Sequence, residues 1–235
     1  GFVRRSILLR LGRERTRTTV DGLDELTNVA APHIRGDDGV QSVRWRDIDH
    51  VGPAGSLVSS VRDMARWLRV HLNLGTLEGR RILDAEIVSE MHSAQSLISP
   101  GAPVSSYLFS VLERRGLTRS VAYGLGWYVL DYRGEKLVLH GGDIDGMTAL
   151  VATLPERETG AVVLSNRQSQ FFPYAVVLRL FDHALKADGP GWGNVFRKRL
   201  EMMRSQQERL RQRRADRRVE GTEPSLEPPR YAGTY

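Results

Sequence analysis

The chain has 235 residues, 40% hydrophobic and 26% charged, with no cysteine and a formal net charge of +6. That length supports one domain plus an appendage, and the lack of cysteine excludes disulfides, thiol nucleophiles and thiolate metal sites without fixing a compartment. Ten Lys/Arg against three Asp/Glu lie between Trp192 and Arg218, so the remainder is near neutral and the positive charge is local.

In chain order, Gly1 to about Gly12 reads as a helix whose apolar face is Phe2, Val3, Ile7 and Leu8. It lacks the charged-then-apolar layout of a signal peptide, and its opening on Gly1 rather than Met reads as a fragment of a longer polypeptide. Residues 13–51 are polar and weakly periodic, an extended excursion with few elements. Ser60 followed by Asp63 predicts a capping-box start, with Val61, Met64, Leu68 and Leu72 at helical spacing and a left-handed stop at Gly75. A short helix is predicted over Asp84–His92, with Ile87, Val88 and Met91 apolar.

From 123 to 166 the period changes. Leu125–Leu130, Lys136–His140, Met147–Leu154 and Gly160–Ser165 predict four strands, joined by turn signals at Arg133-Gly134, Asp145-Gly146 and Pro155–Gly160 into an antiparallel meander. Phe172, Val176, Val177, Leu180, Ala184 and Leu185 lie on one face of a helix that the sheet would receive, ending by Asp188-Gly189-Pro190. A basic amphipathic helix then runs to roughly Arg214, and prolines from Glu223 to Pro229 mark a linker before Tyr231–Tyr235, which reads as the first strand of a further domain.

Two blocks carry a resemblance. Gly52-Pro-Ala-Gly-Ser-Leu-Val-Ser-Ser-Val-Arg-Asp-Met-Ala-Arg-Trp-Leu68 is one; the other is Tyr123-Gly-Leu-Gly-Trp127, then His140-Gly-Gly-Asp-Ile-Asp-Gly146, then Val162-Val-Leu-Ser-Asn166. In order and spacing, with Asn28–His33 before them, they resemble the C-terminal half of a bacterial beta-lactamase-related serine hydrolase of the penicillin-binding-protein, class C beta-lactamase and esterase type. The similarity covers about 1–187, leaving 188–222 as a connector helix and 223–235 as a linker with the start of a small β-rich domain. It implies an α+β fold, an antiparallel sheet flanked by helices. It also implies cleavage of an ester or amide (a beta-lactam, a D-alanyl peptide or a small ester) through an acyl-serine, and a periplasmic or extracellular setting.

That chemistry uses a serine in Ser-x-x-Lys and a Tyr-x-Asn or Ser-x-Asn element. The three lysines, Lys136, Lys186 and Lys198, follow Arg133, His183 and Val195 at that spacing, and none of these other elements occurs. The fragment is therefore expected to be inactive alone. What remains is the third wall: His140 and Asp143 as catalytic candidates, Asp143 through its backbone amide as an oxyanion-hole donor, and Gly141 and Gly142 as a bare strand edge for substrate. The plainer readings are a hydrogen-bonded histidine at a strand end, a glycine bulge, aspartates that form turns, and Trp67, Trp127 and Tyr128 as core rather than pocket. The alternative function is a non-catalytic peptide-binding or assembly module on the same shell. Neither metal nor cofactor is expected, because His33, His50, His71, His92 and His183 lack ligand spacing. The partner expected is a small-molecule or peptide substrate, not nucleic acid, since the arginine-rich helix reads as a solvated connector. No apolar run approaches a membrane span.

Overall fold

The computed structural model describes residues 2–12, 15–36, 38–99, 107–169, 171–219 and 221–232. Contacts divide the chain into two units, Gly1–Gly193 and Asn194–Tyr235.

A π-helical turn, Arg4–Leu8, opens the first unit. Hairpin β1 (His33–Gly36) and β2 (Gly39–Ser42) follows, then a 3-10 turn (Asp49–Val51), α1 (Gly52–Gly55) and α2 (Val61–Leu72). Next come hairpin β3 (Thr76–Leu77) and β4 (Arg80–Arg81), α3 (Ala85–Met91), β5 (Ser96–Leu97), α4 (Tyr107–Glu113), β6 (Val121–Tyr123) and β7 (Tyr128–Tyr132). β8 (Glu135–Ile144), β9 (Met147–Leu154), β10 (Thr159–Ser165) and α5 (Phe172–Ala184) complete it. Six strands form one antiparallel sheet in the order β10-β9-β8-β7-β6-β5, so the meander is present and gains two strands at the β5 end. Leu125–Trp127 is a turn rather than a strand, because Gly126 sits at φ +80° and Gly124 N–H closes on the Trp127 carbonyl at 2.7 Å.

Helices cover both faces of the sheet. On one, Leu68 of α2 is buried with Val138, Val151 and Trp127. Strand alternation puts Val138 and Val151 on the same side, and each fully buried aliphatic side chain stabilises by about 1.5–3 kcal/mol. A second cluster, Leu11, Val70, Leu77 and Ile82, ties the N-terminal turn to α2 and the β3–β4 hairpin. The expected apolar face of the first helix is half right: Leu8 is buried and Ile7 partly so, while Phe2 and Val3 are exposed.

On the other face lies α5, rotated relative to the sequence reading. It buries Pro173, Val177, Leu178, Phe181 and Asp182, while Phe172, Val176 and Leu180 are exposed. Asp182 sets this rotation by accepting hydrogen bonds from Tyr132 of β7 and from Trp192.

α2 begins as predicted, with Ser60 Oγ accepting from Asp63 N–H at 3.3 Å. The capping box is not reciprocal. The Asp63 carboxylate turns to Thr16 Oγ1 at 2.6 Å and Arg15 N–H at 3.1 Å, pinning the preceding excursion against the helix. The second unit is formed largely by the exposed, charged length of α6 (Trp192–Asp216), followed by a 3-10 turn over Pro228–Tyr231 at the end of the proline-marked linker; most of the strand expected over Tyr231–Tyr235 lies outside the described residues. Among the described residues no helix is long and apolar enough to cross a membrane.

Candidate functional site

The site candidate is the far half of β8. β8 pairs with β7 only over Glu135–Leu139 and with β9 over Val138–Ile144. β7 begins at Tyr128 opposite Leu139, so His140–Ile144 run beyond it, with β9 on one side and no strand on the other among the described residues. The two-residue turn at Arg133-Gly134 makes Tyr132 and Glu135 a hydrogen-bonded pair, and alternation carries that pattern to Leu137 and Leu139. Gly141 and Asp143 share the parity of Leu139. Their N–H and C=O groups therefore point to the side where β7 has ended, while His140 and Gly142 spend theirs on β9.

This half-strand is fixed at several points. A Cβ on Gly141 would meet Tyr174 Oη of α5 at 3.1 Å, whereas one on Gly142 would meet Ala149 Cβ at an ordinary 3.8 Å. The two glycines therefore differ: a methyl on the first would be tight against α5, and one on the second would make ordinary contact. Burial, then the nearby Tyr128 and Asp143, pushes the Tyr174 hydroxyl up to about 12, so it stays a neutral donor. The Asp143 carboxyl is raised by partial loss of solvent and by Asp145, with Gln168 acting in the opposite sense. At the β8–β9 turn, Gly146 has φ +81° and a Cβ there would lie 2.6 Å from His33 N, so only glycine permits the close approach of the 31–36 segment. His33 N–H donates to the Gly146 carbonyl at 3.1 Å, and Asn166 Nδ2 donates to the Ala31 carbonyl at 3.1 Å.

His140 is held by aromatic neighbours from the β6–β7 hairpin. Its Nε2 lies 3.1 Å from Tyr123 Oη, and its ring stacks on Tyr128 with centroids 5.8 Å apart. Tyr123 and Tyr128 are themselves cross-strand partners. Burial, then Tyr123, raises the Tyr128 hydroxyl.

Beside the β8–β9 turn the sheet and the 15–60 excursion enclose a cavity of about 770 Å³. Gly142, Ile144, Ala149 and Leu164 line its sheet side, and Leu23, Trp45 and Val58 line its opposite wall. Arg46 and Asp145 pair at 3.2 Å on its border. This volume lies within the range of small-molecule sites.

All four candidates, His140, Gly141, Gly142 and Asp143, thus occupy one half-strand with one open edge. The sequence reading missed Tyr174 and the Arg46–Asp145 pair, which carry no local signal, and saw Tyr123 only as part of a motif. Trp127 is buried, and it packs edge-on against a His71–His92 pair in which Nδ1 and Nε2 are 3.0 Å apart. Among the described residues no group of three or more His, Cys, Asp or Glu is arranged to hold a metal ion.

An antiparallel sheet flanked by helices on both faces makes this an α+β protein. The chain belongs to the Beta-lactamase family, whose model matches residues 2–182. It is 29% identical over 184 residues to the Unguisins hydrolase ungD of Aspergillus violaceofuscus, covering 73% of this chain and 30% of that protein. In fold it is similar to the octameric penicillin-binding protein homologue from Pyrococcus abyssi, with TM-score 0.63, 22% identity and 80% of this chain against 37% of that one. The penicillin binding protein from Bacillus halodurans matches with TM-score 0.55 and 15% identity, over 76% of this chain and 48% of that one. At these identities the two structures speak for the fold alone. The chain spans about a third of the length of the curated relative and of the Pyrococcus protein.

Proposed function

We propose that this chain is the sheet-side wall of a serine hydrolase site that cleaves an ester or amide, such as a beta-lactam, a D-alanyl peptide or a small ester, through an acyl-serine. The observation that carries this reading is the open edge at Gly141–Asp143. An acyl group laid along it meets outward-pointing N–H groups, and the amide of Asp143 serves as one donor of an oxyanion hole. The attacking serine and its lysine come from polypeptide outside this chain, because Ser-x-x-Lys is absent from the sequence. The relative named as a hydrolase supports the reaction class.

A fluorescent penicillin or a fluorophosphonate probe tests this. The chain alone should remain unlabelled, and a longer protein containing both this chain and a Ser-x-x-Lys segment should be labelled at that serine. Labelling of the chain alone defeats the assignment of the nucleophile. A longer protein without Ser-x-x-Lys favours the second reading, a non-catalytic peptide-binding or assembly module.

A further inference from the structure

We infer that Tyr123 is a positioning residue that fixes the proton of His140 on Nδ1, so that the ring meets a substrate as a hydrogen-bond donor rather than as a base. The inference rests on the reading of the β8 edge as a reaction site.

The geometry is a phenol oxygen 3.1 Å from an imidazole Nε2. A neutral imidazole carries one N–H and one lone pair, and the bond made by one nitrogen dictates the state of the other. Two arrangements satisfy that distance: Tyr123 O–H donating to Nε2, or Nε2–H donating to the phenol oxygen. An imidazole lone pair is a much stronger acceptor than a phenol oxygen, and the phenol O–H is a strong donor, so the first arrangement is favoured. With Nε2 occupied as acceptor, the proton resides on Nδ1.

The position of Tyr123 supports a dedicated role. It is the last residue of β6 and the cross-strand partner of Tyr128, whose ring lies stacked on His140. Ring contact thus restrains the orientation of the imidazole and the Tyr123 hydroxyl restrains its proton. The turn that joins the two tyrosines is itself fixed, by Gly124 N–H to the Trp127 carbonyl and by Leu125 N–H to the Met91 carbonyl at 3.1 Å. With its proton on Nδ1, His140 is a donor there, as Asp143 is through its N–H, and proton abstraction is left to groups elsewhere.

Long-range ¹H–¹⁵N spectra of the ¹⁵N-histidine-labelled full chain, recorded above the titration range of histidine, test this directly. The His140 signals are assigned by their loss in His140→Gln. The wild type should show Nδ1 protonated and Nε2 unprotonated. Tyr123→Phe removes the hydroxyl and keeps the ring, and it should shift the ratio toward Nε2–H about fivefold, the size of one net hydrogen bond. Tyr128→Phe, which preserves the stacked ring, should leave the ratio unchanged. A wild-type His140 protonated on Nε2, or an unaltered ratio in Tyr123→Phe, overturns the inference; if Tyr123→Phe fails to fold, the wild-type spectrum alone decides. Because this readout needs no nucleophile, failed probe labelling of the longer protein would defeat the hydrolase reading and leave the tautomer result standing.

Discussion

Tyr132 of β7 donates its hydroxyl to the carboxylate of Asp182 in α5 at 2.5 Å, joining sheet and helix across fifty positions of sequence. Arg133 Nε at 2.8 Å and Trp192 Nε1 at 2.6 Å complete the shell of this buried acid. Burial and the bond to Asp182 raise the Tyr132 hydroxyl far above the ordinary phenol range, so it remains a donor.

Asp182→Ala should therefore be among the most damaging single changes. It leaves a buried hydroxyl, an indole N–H and a guanidinium without their shared acceptor, at a cost of about 3–5 kcal/mol. Urea unfolding measures it; a loss below about 1 kcal/mol would show that the carboxylate is not the anchor of α5.

The two glycines of the half-strand should respond differently. Gly141→Ala forces a methyl toward Tyr174 Oη at 3.1 Å and should destabilise by about 1–3 kcal/mol. Gly142→Ala meets only Ala149 Cβ at 3.8 Å and should change stability by no more than about 0.5 kcal/mol. Parallel thermal melts of both variants decide the matter, and equal losses would contradict the distinction.

Acid should weaken the fold through His92. Burial, then the charge of Lys136, lowers its imidazole from the ordinary 6.5 to about 4. A group depressed on folding contributes stability that is complete above the unfolded value and is lost as pH falls toward the folded one. The window is thus about 6.5 down to about 4, with on the order of 3 kcal/mol at stake. His92→Phe should flatten the pH dependence of the urea midpoint in that window, and an unchanged slope would rule out His92 as its source.

The cavity wall should loosen when Asp63 is changed. Asp63→Ala removes the acceptor for Thr16 Oγ1 and Arg15 N–H, while Ser60 still caps α2. Hydrogen exchange should quicken at residues 15–20, including the Arg17 amide that bridges to the Val58 carbonyl at 2.9 Å, while α2 keeps its protection. Uniform loss of protection through α2 would instead mark Asp63 as a helix-forming residue only.

Much of the fold is legible in the chain itself because its signals are local. Arg133-Gly134 and Asp145-Gly146 specify tight turns by backbone conformation, so the order β7-β8-β9 follows from neighbouring residues. Ser60 caps α2 as its position suggests, while the left-handed stop begins one residue before the expected Gly75, at Leu74 (φ +45°), and Gly75 N–H closes on the Val70 carbonyl; both devices act within one helical turn. The candidate half-strand is likewise visible as a string, His140 to Asp143.

What that string does not contain is its open edge, which exists because β7 stops at Tyr128, a boundary set by contacts from Met91 and Trp127 to the turn before it. Nor does local pattern choose the buried side of α5. Phe172, Val176 and Leu180 form as good an apolar stripe as Val177, Leu178 and Phe181, and the partners of Asp182 decide between them. The sequence alone determined turns, caps and strand order, which depend on residues a few positions apart. Edge, helix rotation and the Tyr123–His140 contact were decided by tertiary structure, since each is a relation between segments that only packing brings together.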